Sequence, residues 1–278
     1  MAVHSARIAL LKGRLKMKFE HTDVWGFEHA IRGMRNPMNS WHKSDSWFEA
    51  DIAGRELMNI NGDYYCNGEN KEISDCLEEE PFYFGKNDLD LAQRLIVGGT
   101  EHRKFMRQIM VSVDITAPMY WWSEFDTYKV GTAANSTSKM HKLASTPITI
   151  DCFETDDYNN DLEYDLCEET VPVDFRPDDS DNENYLTGSF LGIMLMNLEG
   201  LRRKYLETKD KRYWKELVRW LPESWLQTRT VTFNYENLRS MYFQRRNHKL
   251  TEWHSFVDWL KTLPYSDELI TFEKETTE

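Results

Sequence analysis

The sequence predicts a mixed α/β fold, a central sheet with helices packed around it. From Lys104 to Ile115, Phe105, Ile109, Val111 and Val113 alternate with polar residues at the period of a half-buried strand. After Asn184 the apolar residues recur at helical spacing in four successive segments. With 278 residues and 40% hydrophobic content the chain can bury one sizeable core or two small ones, so the expected organisation is a single elaborated domain over residues 1–278.

Residues 18–40 combine a strand-like piece with a helix over Trp25–Arg35, in which Trp25, Phe27, Ala30, Ile31 and Met34 approximate helical spacing. Pro37 ends it. Residues 41–86 are rich in Asn, Gly, Asp and aromatics, with Asn61-Gly62 and Asn67-Gly68 as turn signals, and are expected to form a loop-rich insertion with short elements. Asp88 is the expected N-cap of a helix through Leu89, Ala92, Leu95 and Ile96, which Gly98-Gly99 would close. The alternating strand then runs into Pro118.

Between Asp151 and Asn184 the composition shifts to Asp, Glu and Asn, and the span 151–184 is expected to be an acidic loop or linker. A surface excursion is preferred there to a docking strip or a cation site on Asp156, Asp157 and Asp161, because no spacing matches a calcium-binding loop. Tyr185–Tyr205 is a helix with Phe190, Ile193, Met194, Met196, Leu198 and Leu201 at core spacing, ending in the basic run Arg202-Arg203-Lys204. Helices over Lys211–Trp220, Tyr235–Arg245 and Leu250–Leu263 follow, and the tail 271–278 is expected to fray.

A net charge of −13 argues against a broad nucleic-acid-binding face, yet a small phosphate ligand needs only a local basic cluster. Cys66, Cys76, Cys152 and Cys167 have no C-x-x-C spacing, so reduced, cytoplasmic thiols are the default. Residues 7–18 are apolar and basic but lack the long apolar core of a signal peptide, and no run approaches a membrane span. Met17 stands as an alternative start to Met1. His248 and His254 have no partner at metal-ligand spacing, so no metal is assigned.

The segment 117–143, APMYWWSEFDTYKVGTAANSTSKMHKL, holds the most chemical information. It opens on Ala117-Pro118, continues through an aromatic run and ends in a loop of small polar residues. Before it stands Leu95-Ile96-Val97-Gly98-Gly99-Thr100-Glu101-His102, and after it Arg219-Trp220-Leu221-Pro222 and then Thr232-Phe233-Asn234 through Arg245. Leu250-Thr251-Glu252-Trp253 comes last. In this order the pieces resemble the flavin-dependent thymidylate synthases. The signature of that family runs roughly A-P-I-F-V-x-R-Q-x-x-R-H-R-x-x-S-x-N-E-x-S-x-R-Y, a Glu-His pair precedes the strand leading into it, and R-x-x-L-P and T-V-N-x-R-x-L-x-x-F-x-x-L-R follow. The resemblance covers roughly Leu89–Leu143 and Trp214–Leu263.

It implies a homotetramer with shared active sites, in which FAD relays a one-carbon unit from methylenetetrahydrofolate to C5 of dUMP and NADPH supplies the reducing equivalents. No protein nucleophile is implied. Carried over position by position, Arg245, Glu124, Thr137, Ser138 and Lys139 would contact the nucleotide. His102, Thr127, Tyr128, Lys129, Asn135 and Asn234 would contact the cofactor. Thr137 holds its place in a gapless frame and Ser138 if one residue is inserted. The chain departs from the pattern where Glu124 replaces Gln, Thr127-Tyr128-Lys129 replaces Arg-His-Arg, Lys139-Met140 replaces Arg-Tyr, and Val218 stands at the arginine of R-x-x-L-P. Lysines meet phosphate as point charges where arginines present a fork of donors.

Other readings of the same residues remain open. The oligomeric scaffold can serve a non-catalytic or regulatory nucleotide-binding protein with an eroded flavin site, or a nucleotide enzyme of different chemistry that needs no flavin. Trp121 and Trp122 can be core aromatics on a buried strand. His102 can be a surface or capping residue, and Arg245-Arg246 can complement the dipole of a helix end.

Overall fold

In the computed structural model, residues 17–51, 56–61, 64–65, 82–138, 142–155 and 190–274 are described. The acidic span beyond Thr155, the tail after Lys274, Lys139, and three of the four cysteines (Cys66, Cys76 and Cys167) lie outside them.

The central sheet follows from alternation. Strand β1 covers Lys18–Trp25 and is followed by helix α1, Phe27–Arg35. Between them Gly26 sits at φ +96°, and a Cβ there would overlap the backbone carbonyl of Gln108, so only glycine fits this junction. Four short strands come next: β2 (Trp47–Asp51), β3 (Glu56–Met58), β4 (Tyr64–Tyr65) and β5 (Phe82–Tyr83). They form a small sheet of order β4-β3-β2-β5, antiparallel throughout.

Helix α2 spans Lys86–Val97, and Gly98-Gly99 ends it, Gly99 at φ +100°. Asp88 is not its N-cap. Gly85 holds that position, and the carboxylate of Asp45 accepts from the N–H groups of Asn87 at 2.8 Å and Asp88 at 3.1 Å. The Asp88 carboxylate is fully buried, bonded to Arg35 Nε at 2.5 Å and to the hydroxyls of Ser44 and Ser46 at 2.6 Å each. A buried carboxylate demands such partners, and they draw it inward, away from the helix end.

Strand β6 spans Met110–Pro118, and its onset corrects the expected strand from Lys104. Arg103–Gln108 is a 3-10 helix. Phe105, Met106 and Ile109 are all buried, a spacing that a helical turn satisfies and a strand does not. Helix α3 follows at Met119–Phe125. Trp121 and Trp122 are core residues as expected, but on this helix and not on a strand. Consecutive strand residues face opposite ways, whereas here Trp121 stacks on Phe125 at 5.0 Å, one helical turn on.

Strand β7 covers Ala133–Ser136, helix α4 Phe190–Thr208, helix α5 Lys211–Arg219 and strand β8 Leu226–Asn234. Helices α6, Tyr235–Arg245, and α7, Thr251–Lys261, follow, then a π-helical turn at Ser266–Ile270. The central sheet has the order β1-β6-β8-β7. Side-chain hydrogen bonds mark the register of its middle strands: Thr116 with Thr228 at 2.7 Å, the Thr230 hydroxyl donating to the Asp114 carboxylate at 2.5 Å, and Thr232 donating to Ser112 at 3.4 Å. As one number falls by two its partner rises by two, which is antiparallel pairing.

The chain divides into two compact units, one chiefly Ile115–Thr127 with Asn135–Arg229, the other Phe19–Asp114, Tyr128–Ala134 and Thr230–Glu278. In the first, α4 packs on α5 around Leu143, Ile148, Phe153, Leu198 and Leu217. Phe190, Ile193 and Met196 were expected in that core and are instead exposed. The Leu191 and Leu198 face is the one that packs, because Arg202 on the same helix is drawn down onto Glu199 and the Ala144 carbonyl. In the second unit α1 and α6 pack on the 3-10 helix Arg103–Gln108, and α7 packs on α6.

Candidate functional site

Helix α6 is the rigid element of the candidate site. Asn234 is its N-cap, accepting from the Asn237 N–H at 3.0 Å, while the Asn237 side chain accepts from the Asn234 N–H at 3.3 Å. This reciprocal box satisfies donors that every helix start leaves open. It also receives the loop from Tyr128 to Thr132: Asn237 Nδ2 donates to the Val130 carbonyl at 2.9 Å, and Gly131, at φ +77°, passes close to both asparagines.

At the other end of α6 the same loop meets Arg245. The Tyr128 hydroxyl accepts from Arg245 Nε at 2.8 Å and donates to Gln244 Oε1 at 3.0 Å. The guanidinium also lies over the Trp253 ring, 4.8 Å from its centroid, and 5.6 Å from that of Tyr128. Aromatic faces and a phenol hydroxyl are among the contacts that orient the cation. Thr132 Oγ1 donates to the Tyr128 carbonyl at 2.8 Å and fixes the loop backbone. Below, Arg103 forms two bonds to the Glu236 carboxylate at 2.9 and 3.0 Å, and half-buried Arg239 donates to the carbonyls of Leu269 and Ile270. Burial lowers the Arg239 pKa from its ordinary value.

The structure thus brings Arg245, Tyr128 and Asn234 onto one helix and its flanking loop. Lys129 is on that loop with its side chain exposed. His102 is exposed and starts the 3-10 helix Arg103–Gln108, with no capping bond from its ring. That six-residue helix and Ile109 separate Glu101-His102 from the strand, so the Glu-His pair does not directly precede β6. Glu101 pairs with Lys104 at 2.9 Å.

Glu124, Thr127, Asn135, Thr137 and Ser138 belong to the other unit. Thr127 Oγ1 donates to the Glu124 carbonyl at 2.8 Å, closing helix α3. Asn135 is exposed on β7. The Thr137 backbone is held on β8, its N–H on the Thr228 carbonyl at 2.9 Å and its carbonyl by Gln227 Nε2 at 2.9 Å. Beside these stands a guanidinium that sequence reasoning passed over. Arg229 bonds Asp126 at 2.7 Å and Gln227 at 3.0 Å and covers the Trp122 ring at 4.2 Å. An arginine in the Thr-rich run of β8 was the signal available. Arg219, the arginine beside Leu221-Pro222, pairs instead with Glu216 on the exposed side of α5.

A flavin dinucleotide needs fixed donors for its pyrophosphate. Of the triplet set against it by resemblance, the Thr127 and Tyr128 hydroxyls both donate inside the chain, and Lys129 contributes one flexible ammonium. Thr127-Tyr128-Lys129 therefore does not fit as a pyrophosphate cradle. Among the described residues no three His, Cys, Asp or Glu side chains gather at a metal site, and no helix is long and apolar enough to cross a membrane.

No family model and no curated protein sequence matches the chain. Solved structures do. One is a flavin-dependent thymidylate synthase, ThyX, of Helicobacter pylori complexed with FAD and dUMP, at 15% identity over 92% of this chain and 98% of that one, with a TM-score of 0.53. A second ThyX structure from the same organism, also with FAD and dUMP, gives 16% identity, 92% and 97% coverage and a TM-score of 0.52. The UMP/dUMP methylase PolB of Streptomyces cacaoi, bound with 5-Br dUMP, gives 13% identity, 93% and 96% coverage and a TM-score of 0.50. Near-complete mutual coverage at such low identity is a likeness of fold, and this chain carries, in divergent form, the fold of the flavin-dependent thymidylate synthases.

Proposed function

We propose that this protein is a thymidylate synthase-like pyrimidine nucleotide enzyme acting at C5 of dUMP or a related nucleotide, as a homo-oligomer. The observation that supports it is the setting of Arg245: a cation on the last turn of a helix with a reciprocal N-terminal capping box, steadied by Tyr128 and Trp253, within a fold whose solved examples carry dUMP or 5-Br dUMP. A guanidinium so held suits a nucleotide phosphate or carbonyl, which it can meet with paired donors. One-carbon transfer of this type calls for FAD, NADPH and methylenetetrahydrofolate, and FAD would have to be held by residues other than Thr127-Tyr128-Lys129.

The internal engagement of Thr127 and Tyr128 favours a second reading, a nucleotide-binding homologue that has lost its flavin site. The absorbance spectrum of the purified protein, followed by FAD titration, separates the two. Flavin bound at micromolar FAD supports the enzyme; a colourless protein that takes up none leaves the nucleotide-binding reading. In either case Arg245→Ala is expected to weaken dUMP binding at least about tenfold, as loss of one charge-assisted hydrogen bond requires. Unchanged affinity by calorimetry removes Arg245 from the site.

A further inference from the structure

We infer that Tyr128 is a positioning residue for Arg245, and that this position serves the nucleotide anchor instead of a flavin phosphate. The inference rests on the nucleotide-binding reading above. A phenol has one proton to give. At Tyr128 that proton goes to Gln244 Oε1, 3.0 Å away, so the oxygen lone pairs face Arg245 Nε at 2.8 Å as acceptors. The direction of the pair is thereby fixed: Nε is taken up edge-on while the Trp253 ring takes the guanidinium on its face.

An arginine side chain otherwise samples many rotamers, and ordering it when ligand arrives subtracts from affinity. The Tyr128 hydroxyl on Nε and the Trp253 ring under the guanidinium restrict that freedom before any ligand binds. The loop that delivers Tyr128 is itself held, to the start of α6 by Asn237 on the Val130 carbonyl and within itself by Thr132 on the Tyr128 carbonyl. Tyr128 meets the edge of Trp253 as well, ring centroids 6.1 Å apart, so the three side chains form one packed group. Nothing in this arrangement needs Arg245 to lack other partners; it needs only that Nε be held.

Tyr128→Phe removes one oxygen and keeps the ring, so it tests the hydrogen bond without opening a cavity. Two readouts are taken on the full chain. The Arg245 Nε–H resonance, assigned by its loss in Arg245→Lys, is expected to exchange with water at least about tenfold faster in Tyr128→Phe than in the parent, as loss of a hydrogen bond demands. dUMP affinity by calorimetry is expected to fall about tenfold, with the thermal midpoint within a few degrees of the parent. A merely structural tyrosine would move the midpoint and leave affinity per folded molecule unchanged, and that result overturns the proposal. Equal affinity in parent and variant also overturns it and leaves nucleotide binding intact. A parent that binds no dUMP overturns the nucleotide reading and the proposal with it; the proton-exchange measurement then tells whether the Tyr128–Arg245 bond exists without that purpose.

Discussion

Arg35 and Asp88 show what one buried charge requires. Both are almost wholly inaccessible, and the carboxylate is satisfied by the guanidinium, two serine hydroxyls and the Asp45 N–H. Asp88→Ala would strand Arg35, and removing one partner of a buried pair is expected to cost about 3–5 kcal/mol in denaturant unfolding. A loss under about 1 kcal/mol would show that water reaches Arg35 and takes the place of the carboxylate. The sequence signalled Asp88 only as a residue near a helix start. Whether an aspartate caps outward or is pulled inward depends on serines and an arginine more than forty residues away, and no local pattern carries that. No local pattern marks Arg229 either, because its setting comes from Trp122 on α3 and Asp126 at the end of that helix.

Elements were most legible where propensity, capping and periodicity agreed. The α6 boundaries Tyr235–Arg245 follow directly from the sequence, because an Asn at the cap and a buried face of Tyr235, Leu238 and Met241 point the same way. The segment from Lys104 to Gln108 misled because clustered apolar residues fit a strand and a helical turn alike until burial decides. Asn234 illustrates a conflict between roles. Resemblance sets it on the cofactor, yet its side-chain oxygen is spent on the α6 cap. Asn234→Ala is expected to lower stability by about 1 kcal/mol through the cap. If FAD affinity measured on the folded variant also falls, Asn234 serves both. Helix α4 offers a pH test. Glu199 is held down to a pKa of about 2 from 4.5, chiefly by Arg202 and against the opposing effect of burial, with the Ile148 N–H and Arg203 assisting. The folded value lies below the unfolded one, so the stabilisation is complete above 4.5 and disappears as pH falls towards 2. Its size is on the order of 3 kcal/mol. Unfolding titrations from neutral pH to acid should show Glu199→Gln starting less stable and losing less than the parent; parallel curves would contradict the assignment.

At the scale of the whole molecule, the fold was recognisable from the order and spacing of short pieces, while the candidate site was only half legible: Arg245 stands out in the sequence, and the Tyr128 and Trp253 contacts around it do not. Assembly is where sequence and structure together make a further demand. Along α4 the residues Phe190, Ile193 and Met196 are exposed at 69%, 49% and 63%, an apolar strip left open among the described residues. If a second copy covers it, two bodies of charge −13 must approach each other. Their repulsion is long-ranged and screened beyond about 8 Å at physiological ionic strength, whereas apolar burial is indifferent to modest salt. Self-association driven by this strip should therefore strengthen as salt rises from about 50 to 300 mM, the reverse of an interface built on ion pairs. Sedimentation velocity at several salt concentrations reads this directly. Met196→Glu places a charge in the strip without touching the buried Leu191–Leu198 face and should shift the population to smaller species at unchanged thermal midpoint. A single species that ignores both salt and this substitution would move the subunit contact away from α4.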